Sequence, residues 1–328
     1  MNVAVVFNET SHLPSIQLAD TGKKIKGIFP DANFIICKGY GHAYIEGAKV
    51  LELVYEPDYK QRIANMVQAL LDENPQYLVS VGGDGLASYI ASTVSQVAGH
   101  VILLGIAAGT ANVGPIVSFS QKELSSLSLA DLEVVEINGI EVSDESGYLG
   151  VGFNDVIIGN TFLGTEDNKC CNLSVEALVK NGERKSITVG TQIVTDRFSL
   201  RLNGIEKQLF PELSIAQIVV TTLQFDKLYG RAIFGGLCLG REACNLAAVG
   251  LSTRNMVNCS PDAWDSSNLT AIQHLVFSSS SDVVLEGLGK DAHIVIDGNP
   301  FLRNGTVCFR LRPGIVRALK QSRKGEVS

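Results

Sequence analysis

Apolar and polar positions along this chain follow two different periods, and the change falls near residue 130. Before it, short apolar runs alternate with stretches of helical period, the signature of an α/β layer fold. Val3-Ala4-Val5-Val6-Phe7 and Phe34-Ile35-Ile36-Cys37 read as buried strands. Asp58 is placed to cap a helix whose Ile63, Met66, Val67, Leu70 and Leu71 share one face, and Asn74-Pro75 ends it. Tyr77 to Val81 predicts the next strand, Gly82-Gly83-Asp84-Gly85 a turn, and Leu86, Ile90, Val94 and Val97 the apolar face of a second helix. Val101 to Leu104 predicts a further strand, followed directly by the loop Gly105 to Gly114. Strands joined through a helix run parallel, so both glycine-rich loops are expected at the carboxyl edge of one sheet, where open α/β sheets bind ligands.

Beyond residue 130 the period shortens to that of strands. Asn138-Gly139 and Asn203-Gly204, each flanked by apolar residues, predict two-residue hairpins, and Asp297-Gly298 fits the same turn. Val307, Phe309 and Leu311 alternate with Cys308, Arg310 and Arg312, while Ser278 to Ser281 reads as a loop. The expected fold is therefore an α/β N-terminal domain with a parallel sheet (residues 1–128) plus a mainly antiparallel β C-terminal domain (129–315). Residues 316–328 are set apart as a C-terminal tail, read as solvated from Lys320 to Ser328.

Composition narrows the function classes. With 328 residues, 45% of them hydrophobic and 19% charged, two domains with ample cores are expected. A net charge of −7, from 27 basic and 34 acidic residues, gives no basic footprint, so nucleic acid is not an expected partner. The apolar start, Met1 to Phe7, is short, and no run of about 18 apolar residues follows, so neither a leader nor a transmembrane segment is expected and the location reads as cytoplasmic. The seven cysteines include one close pair, Cys170-Cys171, without zinc-type spacing, and read as reduced and mostly buried. His12, His42, His100, His274 and His293 are scattered, and no metal-ligand set is assigned.

No P-loop, G-x-G-x-x-G or G-x-S-x-G pattern is present. What remains is Val81-Gly82-Gly83-Asp84-Gly85. Here Gly82, Gly83 and Gly85 let backbone N–H groups approach a phosphate, and the following helix offers its positive end. A carboxylate inside an anion cradle is awkward unless Mg²⁺ bridges it to phosphate or it takes a proton from a hydroxyl nucleophile. The alternative is that Asp84 simply caps the helix. The second loop adds Gly109 for close approach and Thr110 and Asn112 as polar partners, one βα unit further on. Together the two loops point to a nucleotide phosphate site.

G-G-D-G followed by G-x-x-x-G-T-x-N resembles the superfamily of NAD kinases and diacylglycerol-type lipid kinases. Gly152-Phe153-Asn154-Asp155-Val156 is similar to the N-E/D-x-V motif of NAD kinases, and Asp297-Gly298 to a late D-G pair of these kinases. The resemblance implies an ATP-dependent phosphotransferase using Mg²⁺ with ATP, with NAD or another small hydroxyl compound as acceptor. It implies that Asp84 is catalytic, that Gly82, Gly83, Gly85, Gly109, Thr110 and Asn112 bind the nucleotide, that Asn154 and Asp155 bind the acceptor, and that the protein is a homo-oligomer. Read without the resemblance, Asn154-Asp155 is an ordinary turn. Leu86 replaces the threonine of the family signature, and Val113 and Asn299 replace acidic residues of the lipid kinases. The T-P-T-G-S-T-A-Y segment of NAD kinases is absent, with Ser186 to Thr191 a remote echo, a combination similar to the NAD-kinase-like proteins of acetoin catabolism. A lipid or other metabolite hydroxyl as acceptor, and a catalytically silent nucleotide-binding protein, are the alternatives.

Overall fold

The computed structural model describes residues 1–8, 13–97, 99–108, 114–166, 169–187, 192–210, 214–225, 245–258 and 270–322. The chain divides into two units, Met1–Ile137 with Gly314–Ser328, and Asn138–Pro313.

The first unit contains β1 (Asn2–Phe7), α1 (Ser15–Ile28), β2 (Asn33–Cys37), β3 (Lys49–Leu51), α2 (Tyr59–Leu71), β4 (Tyr77–Gly82), α3 (Asp84–Val97), β5 (Ile102–Ala107) and β6 (Val117–Ser120). Its strands are parallel in the order β3-β2-β1-β4-β5, as the alternation of strand and helix requires. Strands β1, β4 and β5 are almost wholly apolar because both their faces are covered, whereas the edge strand β3 is largely exposed. Val3, Val5 and Phe7 join Leu18, Ile25 and Ile28 of α1 in one cluster, while the intervening Ala4 and Val6 are equally buried. Asp58 caps α2 by accepting the Gln61 N–H at 2.7 Å, and the predicted apolar face of that helix is buried. On α3, Leu86, Ile90 and Val94 are buried, but Val97 is 58% exposed because the helix ends there. Helix α1 escapes an apolar-period reading because Thr21 and Gly22 interrupt its buried stripe.

Strand β7 (Leu132–Asp144) has residues in both units. The second unit continues with β8 (Gly147–Gly152), β9 (Val156–Gly159), β10 (Thr161–Glu166), β11 (Lys169–Ser174), α4 (Val175–Asn181), β12 (Val194–Leu202) and β13 (Ile205–Glu206). It then forms β14 (Gln217–Thr222), β15 (Leu246–Ser252), β16 (Ile272–Ser278), β17 (Asp282–Leu288), β18 (His293–Ile296), β19 (Asn299–Phe301) and β20 (Val307–Gln321), whose last residues return to the first unit. A six-stranded antiparallel sheet runs β16-β15-β14-β9-β18-β19. Its two faces separate by the strand period. Val156, Ile158, Ile218, Val220, Ile294 and Ile296 pack with Ile140, Leu200, Val283 and Phe309, whereas Ile157, Val219 and Val295 pack with Phe162, Leu173 and Val175.

Three sequence expectations are corrected here. Asn203-Gly204 and Asp297-Gly298 do form hairpins, with φ of 51° and 77°, and 46° and 80°. Asn138-Gly139 does not; neither residue has a positive φ, and β7 runs straight through them. All of Ile137 to Ile140 are buried, and the Asn138 N–H donates to the Gln224 side chain at 2.8 Å, so the backbone is satisfied without turning. The reversal comes instead at Asp144 to Gly147, where Asp144 Oδ1 accepts the Ser146 N–H at 2.8 Å. The predicted tail 316–328 is a strand as far as Gln321. Val316, Ala318 and Leu319 are buried, and Arg317 and Ala318 pair in parallel with Ile102 and Leu103 of β5. Basic residues break its apolar period, which disguises a core strand as a solvated end. Among the four described cysteines only Cys37 is fully buried, its thiol pushed up to about 12 by burial, while Cys170 is exposed.

Leu319→Ala is expected to lower stability by about 2–4 kcal/mol in urea unfolding, as for a core leucine. A loss under about 0.5 kcal/mol is the surface-residue result and would contradict the burial of this strand.

Candidate active site

Strand β4 ends at Gly82, and the carbonyl of Gly83 accepts the first helical N–H of α3, from Ala87, at 3.2 Å. Gly83 is therefore the capping position, and Asp84 lies in the first turn rather than at the cap. Its carboxylate reaches across to the neighbouring loop, where Oδ2 accepts the Gly114 N–H at 3.0 Å. A Cβ on residue 114 would lie 2.8 Å from Asp84 Oδ1, so glycine lets the carboxylate approach without shifting. Strands β4 and β5 pair in register up to Gly82 and Ala107, and Asp84 ties together the loops that leave them. Gly83, Asp84 and Gly85 are half-buried at this edge, while Gly82 is buried. Leu86, where the family signature has threonine, packs over Gly82; a Cβ there would meet its Cδ2 at 2.9 Å. Gly109, Thr110 and Asn112 lie outside the described residues.

Two features of the same edge were not found from sequence. Lys320, assigned to the tail, donates from Nζ to the carbonyl of Pro115, directly after the glycine that Asp84 holds. Burial pushes its ammonium down from the ordinary 10.5 to about 8, and the Asp84 carboxylate works against that shift. The second feature is a cleft of about 350 Å³ at the carboxyl ends of β1 and β2, lined by Phe7, Asn8, Leu18, Gly41, His42 and Tyr44 among others. Asn8 connects it to the glycine turn, because its N–H donates to the Val81 carbonyl at 2.9 Å.

In the second unit, Asn154 and Asp155 occupy the link between β8 and β9, both more than nine-tenths buried. Asn154 Nδ2 donates to Asp155 Oδ2 at 2.9 Å, and Thr221 Oγ1 donates to the Asn154 carbonyl at 2.7 Å. The link is organised by Asp297. Its carboxylate accepts the backbone N–H groups of Phe153, Asn154 and Asp155 at 2.7, 2.8 and 2.9 Å. Its own N–H donates to the Asp155 carbonyl at 3.0 Å. Gly152 permits the tight entry, since a Cβ there would fall 2.6 Å from Val156 Cγ2. The late Asp-Gly pair is thus both a hairpin turn and the anchor of the Asn-Asp motif; its similarity to the late pair of the kinases was the available signal. The structure brings Asn154, Asp155 and Asp297 together in this unit, and Gly82 to Gly85 together with Gly114 and Lys320 in the other. Among the described residues, no group of three or more His, Cys, Asp or Glu is arranged to hold a metal ion. No helix among them is long and apolar enough to cross a membrane.

Two outcomes are expected. Asp297→Ala leaves three N–H groups of a buried loop without their acceptor, and a loss of roughly 2–4 kcal/mol in denaturant unfolding is expected; an unchanged midpoint would show that the loop holds itself. For Lys320, the unfolded chain binds more protons than the folded one between pH about 8 and 10.5, so stability due to this residue rises with pH across that window. The stability difference between wild type and Lys320→Met is therefore expected to move toward the wild type by about 1–3 kcal/mol over the window. A flat difference would mean the ammonium is not desolvated.

No family model matches the chain. An uncharacterized protein of Archaeoglobus fulgidus is 28% identical over 281 residues, which is 83% of either chain. Among solved structures, yeast NADH kinase complexed with NADH is similar with a TM-score of 0.58 at 12% identity, covering 99% of this chain and 84% of that one. A protein of Bacillus anthracis str. Sterne, assigned as a candidate diacylglycerol kinase, gives 0.57 at 11% identity and covers 97% of both chains. With its parallel α/β unit and its antiparallel β unit, this chain has the fold shared by NAD kinase and diacylglycerol kinase-like proteins.

Proposed function

We propose that the chain is an ATP-dependent phosphotransferase of NAD kinase type, moving the γ-phosphoryl group of ATP to the 2′-hydroxyl of the adenosine ribose of NAD. The observation that carries this reading is the placement of Asp84. It stands in the first turn of a helix at the carboxyl edge of the sheet, is not the cap, and is oriented by the backbone of the adjacent loop. A fixed carboxylate beside a phosphate-binding helix end suits an acceptor hydroxyl that must be aligned and deprotonated.

The cleft at the ends of β1 and β2 supports a nucleotide at the same edge, and its volume lies in the range of small-molecule sites. In this reading Gly82 admits Leu86, the N–H groups around Gly83 and Gly85 face the donor phosphates, and Gly109, Thr110 and Asn112 line the nucleotide. Mg²⁺ enters with ATP and offsets phosphate charge. Asp84 orients the hydroxyl and takes its proton as the ribose oxygen bonds to the γ-phosphorus. The bond from that phosphorus to the β-bridging oxygen breaks, and ADP leaves with the electron pair. Asn154 and Asp155, preset by Asp297, position the acceptor ribose. A cytoplasmic homo-oligomer belongs to the same reading.

The test is purified protein with Mg-ATP and NAD, NADP being read by an NADP-specific coupling enzyme. NADP formation is expected, with kcat lowered roughly 100-fold or more in Asp84→Ala and in Asp84→Asn. Asparagine can still accept the Gly114 N–H, so its variant should keep the wild-type fold by far-ultraviolet circular dichroism. Near-normal turnover in Asp84→Asn would leave Asp84 as a loop anchor. ADP release only with diacylglycerol or another hydroxyl would reassign the acceptor, and Mg-ATP binding without any ADP release would make the protein a nucleotide sensor.

A further inference from the structure

We propose that Lys320 is a positioning residue of the phosphoryl-transfer site, fixing the Gly114-Pro115 segment so that Asp84 is held at one geometry. The proposal rests on the kinase reading above. The last strand lies parallel to β5, with Ala318 opposite Leu103. On the same side of β5, β6 pairs further along, with Val117 opposite Gly105. The end of β20 therefore arrives where residues 115–117 begin, and there Lys320 Nζ donates to the Pro115 carbonyl.

Two opposite charges thus grip one short piece of backbone. The Asp84 carboxylate accepts the N–H of Gly114, and the Lys320 ammonium binds the C=O of Pro115. Between them stands a proline, whose ring fixes φ, so displacement at one end passes to the other. A charge on a largely buried strand is costly without an opposite charge, and Asp84 is the carboxylate that stabilises the Lys320 cation. Each charge consequently helps to hold the other. Losing Lys320 loosens the group to which Asp84 is bonded while leaving the cleft at β1 and β2 intact. The expected consequence falls on turnover rather than on nucleotide affinity.

Wild type, Lys320→Met and Lys320→Arg are compared in steady-state turnover with Mg-ATP and whichever acceptor supports ADP release, and in calorimetric titration with Mg-ATP alone. Lys320→Met is expected to lower kcat about 10- to 100-fold, since small misplacements at a reacting centre cost that much, with KM for ATP changed less than about threefold. Lys320→Arg, which keeps charge and donor, is expected to recover turnover to within about fivefold of wild type. Should Lys320→Met not fold, Lys320→Gln replaces it under the same criteria. Wild-type kcat in the uncharged variant, or an arginine variant as impaired as it, overturns the proposal while the kinase reading stands. A wild type that releases no ADP with any acceptor overturns the kinase reading, and this proposal with it.

Discussion

One hydrogen bond, from the Gly114 N–H to the Asp84 carboxylate, sets the geometry of the edge where the first unit presents its glycine loops. Parallel pairing of β4 and β5 delivers both loops to that edge, but pairing alone stops at Gly82 and Ala107. Just beyond them, the Ala108 N–H donates to the Gly82 carbonyl at 2.9 Å. The carboxylate adds a constraint between the two loops, and glycine at residue 114 leaves it room. Lys320 then closes the arrangement from a strand more than 200 residues further along the chain. A bond to an ionised acceptor, at about 1.5–3 kcal/mol, is strong enough to hold the two segments together.

The second unit uses the same physics with a different carboxylate. Asp297 gathers three consecutive N–H groups of the link that carries Asn154 and Asp155, and Gly152 provides the close entry. Both Asp297 and Gly298 have positive φ, so the hairpin turn itself aims the carboxylate. In each unit a motif that reads as a ligand contact is therefore first a backbone organiser. The two roles are compatible, since a group that acts on a substrate must itself be held in one orientation.

Much of the architecture was legible because burial on two faces or on one leaves a periodic trace. The strands around Val3–Phe7 and Tyr77–Val81, the helix after Asp58, and the alternating faces of the second unit all follow from that trace. Helix α1 was illegible because close packing favoured Thr21 and Gly22 in its buried stripe. Asn138-Gly139 misled because a turn signal is local, whereas this segment is buried along its length inside a strand. The segment after Gly314 misled for the opposite reason, its charged residues hiding Val316, Ala318 and Leu319 in the core.

By itself, then, the sequence determined the α/β and antiparallel β character of the two units and nominated Asp84, Asn154 and Asp155, since periodicity and glycine-rich motifs are encoded by neighbouring residues. Tertiary structure alone decided what those residues touch. Asp84 meets Gly114 and, through charge, Lys320; the backbone of Asn154 and Asp155 meets Asp297. Each lies tens to hundreds of positions away, and a hydrogen bond between groups so far apart in sequence leaves no period in it. It exists only because the strands carrying those groups are laid side by side.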